Sequence, residues 1–154
     1  MTRRILTLSA GAVLIAAWTA RPATSPAYTA QMTGAQETPA NNSKGTGTAT
    51  FTMAGTKLHY SVSVHDLSGA PMAAHIHVGA TGVAGPPVYT FAIKAGSGMS
   101  GTISEGTIDL AKDASAGVTG DSLTKLLNNG NAYVNVHTKN FPNGEIRGQV
   151  RAKP

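Results

Sequence analysis

The stretch that decides the fold is Ala73-Ala74-His75-Ile76-His77-Val78-Gly79. Ala74, Ile76 and Val78 alternate with His75 and His77. Successive side chains of a strand point to opposite faces, so this spacing predicts a half-buried strand with both imidazoles on its polar side. Their Cα atoms would stand roughly 6.5 Å apart, close enough for both rings to lean onto one ion. Tyr133-Val134-Asn135-Val136-His137-Thr138 has the same pattern, with Val134 and Val136 on one face and Asn135 and His137 on the other. We expect these two strands to form the working part of the protein and the rest of the chain to hold them.

The clearest alternation runs from Lys57 to Val64. Leu58, Tyr60, Val62 and Val64 share one face, and His59, Ser61, Ser63 and His65 the other. This is the signature of an antiparallel strand with one face in water. Further strands are expected at Tyr28–Thr33, Thr46–Met53, Val88–Ile93, Thr102–Leu110 (interrupted near Glu105-Gly106) and Glu145–Arg151. The residues from Gly34 to Ser43 read as loop from their Pro, Asn and Ser content. One short helix is expected from Asp121, as its cap, to Gly130 at its exit, with Leu123, Leu126 and Leu127 as its apolar stripe. The glycine-rich loop from Gly79 to Pro86 lacks a Lys-Ser/Thr ending and a following helix, so it is not a phosphate cradle. The chain is therefore read as all-β: an antiparallel Greek-key sandwich or partly open barrel of seven to nine strands with one short helix.

The last hairpin can be registered from its faces. Pairing His137 with Glu145 sets Asn135 opposite Arg147 and Tyr133 opposite Gln149, and it sets Val136 opposite Ile146. A slip of one residue would put apolar against polar along its whole length. In this register Glu145 either ligates an ion or orients His137 through its other ring nitrogen. Arg147 is expected to pair with Glu145, and Asn135 completes the supporting shell.

Three neutral imidazoles, His75, His77 and His137, suit Cu(II), Zn(II), Ni(II) or Fe(II) and not calcium or magnesium. The alternative is a structural network in which these groups satisfy one another beneath a loop. His59 and His65 read as solvent-facing residues. Met72 is read as packing, with a soft copper ligand as its other possible role. Cysteine is absent, and so is any Gly-x-Ser-x-Gly elbow, so nucleophilic catalysis has no support.

The chain has 154 residues and a net charge of +5. It opens with Thr2-Arg3-Arg4, followed by a short apolar run from Ile5 to Ala17 and a Pro/Ala/Ser/Thr stretch. We read residues 1–27 as an export signal, cleaved after Ser25-Pro26-Ala27, with Thr2-Arg3-Arg4-Ile5-Leu6 also fitting the twin-arginine pattern. Residues 28–154 would be the single mature domain, with no membrane span. The signal holds three arginines and no acid, so the mature chain carries nine basic and seven acidic residues, a net of +2. No Lys/Arg cluster remains, which argues against nucleic acid as a partner. An exported domain without disulfides must stand on its apolar core or be helped by a ligand.

Four blocks together resemble the CHRD domain: Ala74-His75-Ile76-His77-Val78-Gly79; Gly82-x-x-Gly85-Pro86-Pro87-Val88; Tyr133-Val134-Asn135-Val136-His137-Thr138; and Pro142-Asn143-Gly144-Glu145-Ile146-Arg147-Gly148-Gln149-Val150. An earlier part, Ala35-Gln36-Glu37-Thr38-Pro39, joins them. The resemblance implies an all-β domain found in chordin and, alone, in exported bacterial proteins. His75, His77 and His137 match the family pattern, whereas His59 and His65 do not. A weaker analogy is with copper/zinc superoxide dismutase, which also holds copper with a His-x-His strand and a later His; here the zinc loop and the disulfide are missing. Three functions are therefore expected, in this order. The first is a non-enzymatic exported domain binding copper, or zinc, through the three histidines. The second is an extracellular or cell-envelope interaction module without metal. The third is a dismutase-like copper redox enzyme.

Overall fold

The structure is a computed structural model that describes residues 27–112 and 118–153. The export-signal reading, apart from Ala27, lies outside the described residues. Strands β1 (Ala27–Thr33), β2 (Thr46–Ala54) and β3 (Lys57–His65) are followed by β4 (Pro71–Val78), β5 (Pro87–Thr90) and β6 (Gly101–Asp109). Helix α1 (Gly120–Asn128) leads to β7 (Ala132–Thr138), β8 (Ile146–Gln149) and the short β9 (Arg151–Ala152). All pair antiparallel in one sheet, ordered β5-β4-β7-β8-β1-β2-β3-β6, with β9 beside β1. The all-β expectation holds, and the architecture is the partly open barrel: a single sheet curled into a half-barrel.

The period-two patterning explains the curl. Tyr28, Ala30 and Met32 of β1, Ala49 and Phe51 of β2, and Leu58, Tyr60, Val62 and Val64 of β3 all point into one core. They meet Ala74 and Ile76 of β4, Val134 and Val136 of β7, and Ile146 of β8. Burying these side chains from both halves is the main favourable term, at about 25 cal/mol per Å² of apolar surface. The mouth of the half-barrel is crossed by the chain after β5. Phe91 is buried there against Tyr60 (ring centroids 4.9 Å) and Phe51 (6.4 Å). The Lys94 amide then donates to the Ile103 carbonyl at 2.8 Å, and the Ser104 hydroxyl to the Ala92 carbonyl at 2.7 Å.

Four local expectations need correction. The strand expected over Val88–Ile93 ends at Thr90: the Phe91 amide makes one more bond to the Ala74 carbonyl of β4, and from Ala92 on the chain bonds β6. Strand β6 is not interrupted at Glu105-Gly106. Gly106 stays in register opposite Tyr60, whose ring lies where a side chain would be, and the irregularity falls earlier, where Ile103 is the extra residue. The helix is capped by Thr119, whose hydroxyl accepts from the Ser122 amide at 3.3 Å. Asp121 sits in the first turn, where its charge suits the helix dipole. Met72 does not pack: it is 67% exposed, at the irregularity between Pro71 and Ala73.

Candidate metal centre

Every residue of β7 and β8 except His137, which is half-buried, is buried on both faces. The inner face belongs to the core. The outer face carries Tyr133, Asn135, His137, Arg147 and Gln149, and it is roofed by the 34–45 and 79–86 loops. The register is the one expected: Tyr133 opposite Gln149, Asn135 opposite Arg147, and Val136 opposite Ile146. Strand β4 lies on the other side of β7, with His75 opposite Asn135 and His77 opposite Tyr133. Two separate segments thus bring three half-buried imidazoles to one place.

Candidate ligand atoms of His75, His77 and His137 all lie within 4.8 Å of one another. His75 Nδ1 stands 3.2 Å from His137 Nε2. The far ring nitrogens are tied down. His77 Nδ1 lies 2.8 Å from the Gly85 carbonyl, and His137 Nδ1 lies 3.0 Å from the Pro142 carbonyl. A carbonyl only accepts, so both Nδ1 atoms carry the proton and both Nε2 atoms present lone pairs. His77 Nε2 is buried and has no partner among the described residues. Two ligands directly across an ion at ~2.1 Å are ~4.2 Å apart, and ~3.4 Å apart in a tetrahedron, so a pair 4.8 Å apart has to close by at least about 0.6 Å to share one ion.

The three rings are held neutral. Burial, then the neighbouring His137 and His77, push the His75 pKa down to about 4. His77 is lowered by burial and, less strongly, by His137 and Arg147, against the opposing bond to Gly85. Burial lowers His137 against its bond to Pro142. Neutral imidazole is the form that ligates.

The supporting shell is not the one expected. Glu145 does start opposite His137, with its amide bonded to the Val136 carbonyl. It precedes β8, however, so the pleat does not aim its side chain. The carboxylate is fully buried among donors instead: Ser43 Oγ (2.8 Å), Ser68 amide (2.7 Å), Ser68 Oγ (2.8 Å) and Thr138 Oγ1 (2.5 Å). Burial raises its pKa, but these bonds outweigh burial and leave it below the usual range. Glu145 therefore neither orients His137 nor pairs with Arg147. The Arg147 guanidinium donates to Thr38 Oγ1, Ala80 O and Val83 O and lies 3.5 Å over the Tyr133 ring. Asn135 donates to Glu37 Oε1 at 2.6 Å, and its own Oδ1 is buried without a partner among the described residues.

Sequence reasoning missed Glu37 and Tyr133. Burial pushes the Glu37 carboxyl up to about 7, against the pull of Arg147 and bonds from Thr38 and Asn135. Tyr133 is stacked on His77 (centroids 4.8 Å, planes 13° apart) and holds Gly85 through its hydroxyl. A large aromatic on the polar face of a strand was the available signal for Tyr133. His59 and His65 are exposed and away from the cluster.

A roofed polar wall on a curled antiparallel sheet, with three neutral imidazoles at one side, defines the class: an all-β domain with a histidine cluster built from two strands. The chain belongs to the CHRD domain family, whose sequence model matches residues 28–150. The comparison with curated proteins returned no match, and neither did the comparison with solved structures. Domains of this family are typically extracellular or secreted, where they act as protein-interaction modules. Among the described residues no helix is long and apolar enough to cross a membrane.

Proposed function

We propose that this is an exported, non-enzymatic domain that binds a transition metal through His75, His77 and His137. The observation carrying this reading is the convergence of three imidazoles, two of which, His77 and His137, have their outer nitrogens tied to backbone carbonyls. Such partners fix the tautomer and ring orientation of metal-ligating histidines. Among divalent ions, copper is favoured because an all-nitrogen site binds Cu(II) most tightly in the first-row order, with zinc next to it. Tyr133 and the Gly85 carbonyl orient His77, and the Pro142 carbonyl orients His137. Residues 1–27 would direct export, by the twin-arginine route or the general one.

Calorimetric titration of the purified domain with Cu(II) and Zn(II) tests the reading. We expect one equivalent to bind at micromolar affinity or tighter, and Cu(II) electron paramagnetic resonance to show nitrogen coupling. His77→Ala should abolish binding with the fold intact. An unchanged melting temperature in excess metal would instead favour a metal-free interaction module, in which the rings and loops only stabilise one another. A superoxide assay with no rate above that of free copper would dispose of the redox-enzyme reading.

A further inference from the structure

Strand β4 carries one residue more than its partner. Pro71 pairs with Thr138 and Ala73 with His137, so Met72 is the extra residue of a bulge. Unbroken alternation would put Met72 in the row of Ala74 and Ile76, which face the core. The bulge resets the alternation. Pro71 and Ala74 are buried, and between them Met72 and Ala73 both turn outward.

The outward side of β4 is the side of His75 and His77. Along that face the order is Met72, Ala73, His75, His77, with His137 opposite Ala73 on β7. Ala73 carries only a methyl group, too short to screen Met72 from the rings of His75 and His137. Diagonal neighbours on one face of a sheet stand roughly 7–8 Å apart. Methionine is unbranched with three rotatable bonds, so a change of rotamer lets its sulfur cover that gap. Re-aiming a side chain beside a site is a recurrent use of bulges. The other methionines among the described residues lie elsewhere. Met32 is buried, Met53 packs against the core, and Met99 precedes β6. Cysteine is absent from the chain. Among the described residues Met72 is thus the soft donor at the histidine face. Imidazole suits copper in general, whereas a thioether selects Cu(I).

We propose that Met72 is a ligand for Cu(I), closing its sulfur onto an ion held beside His75 and His137, so that the site takes copper in both oxidation states. This rests on the metal reading above and adds the oxidation state to it. Competition with bicinchoninate, with copper kept as Cu(I) by ascorbate, tests it on the purified domain. Met72→Leu keeps the size of an exposed side chain and removes the sulfur, so the melting temperature should not move. We expect it to weaken Cu(I) binding by about tenfold or more, the least that a ligand should cost when supporting residues cost as much. Its Cu(II) affinity should be unchanged. Met99→Leu, at the other exposed methionine, should alter neither. X-ray absorption of the Cu(I) form should show a sulfur neighbour that Met72→Leu removes. Full Cu(I) affinity in Met72→Leu, an equal loss in Met99→Leu, an equal loss for Cu(II), or no sulfur neighbour would each overturn the proposal. Tight Cu(II) with no Cu(I) binding would overturn it while leaving the metal reading in place; no binding of either ion would remove both.

Discussion

On β3, Leu58, Tyr60, Val62 and Val64 face the core while His59, Ser61, Ser63 and His65 face solvent. On β7, Val134 and Val136 face the same core, yet Tyr133 and Asn135 on the opposite side are buried as well. The alternation is equivalent in the two strands; what differs is the roof. Among the described residues nothing crosses the outside of β3, where His59 bonds Thr107 at 2.8 Å. Over β7 and β8 the 79–86 loop folds back so closely that Gly85 has no room for a side chain beside the Val78 carbonyl. A polar face in water is inert because solvent satisfies it. A roofed face must satisfy itself, and that is where pKa values move and lone pairs are left over.

The largest contrast should come from the carboxylates. Glu145→Ala leaves three hydroxyls and an amide without their acceptor, and we expect a loss of about 3–5 kcal/mol in urea unfolding. Glu105→Ala, on the open face, should change stability by no more than about 0.5 kcal/mol. A mild Glu145→Ala would mean that the loops over β8 anchor themselves.

Next comes the histidine contrast. His77→Ala should weaken Cu(II) binding on the order of 100-fold or more, a loss beyond that of a supporting residue. His59→Ala and His65→Ala should not change it. Equal losses from His77→Ala and from the two open-face substitutions would sink the comparison.

Titration sharpens the comparison further. Glu37 is protonated more readily folded than unfolded, so its contribution to stability is lost as pH rises from 4.5 to about 7. His75 runs the other way: the folded domain resists its protonation, so its contribution is present above 6.5 and lost as pH falls to about 4. Glu37→Gln should thus stabilise the metal-free domain at pH 8 by on the order of 1–2 kcal/mol, less than the full shift because the group is partly solvated. That gain should vanish at pH 4, as urea unfolding at the two pH values would show. The smallest effect is expected of Tyr133→Phe, which keeps the stack on His77 and loses the hydroxyl's bonds to Gly85. We expect about 1 kcal/mol in stability and less than a tenfold change in copper affinity.

Much of this was legible in advance. The strands of the open face and the register of the last hairpin followed from period-two patterning, since a slip would have turned every apolar residue outward. The three histidines were legible because two strands carry them on polar faces. Their partners were not. Glu145 lies one residue before β8, where alternation gives no direction, and it went to the hydroxyls of Ser43, Ser68 and Thr138. Glu37 sits in a loop, where no period exists to read.

The order of residues along the chain determined which side chains share a face, because a strand's pleat is a local property set by its own backbone. Only the tertiary structure decided which polar face is covered, because a roof is made by loops 50 to 100 residues away in the chain, such as Glu37 against Asn135 and Arg147 against Val83. Burial, and with it the neutral imidazoles and the unpartnered acceptors, comes from that distant covering and has no signature in the strands it acts upon.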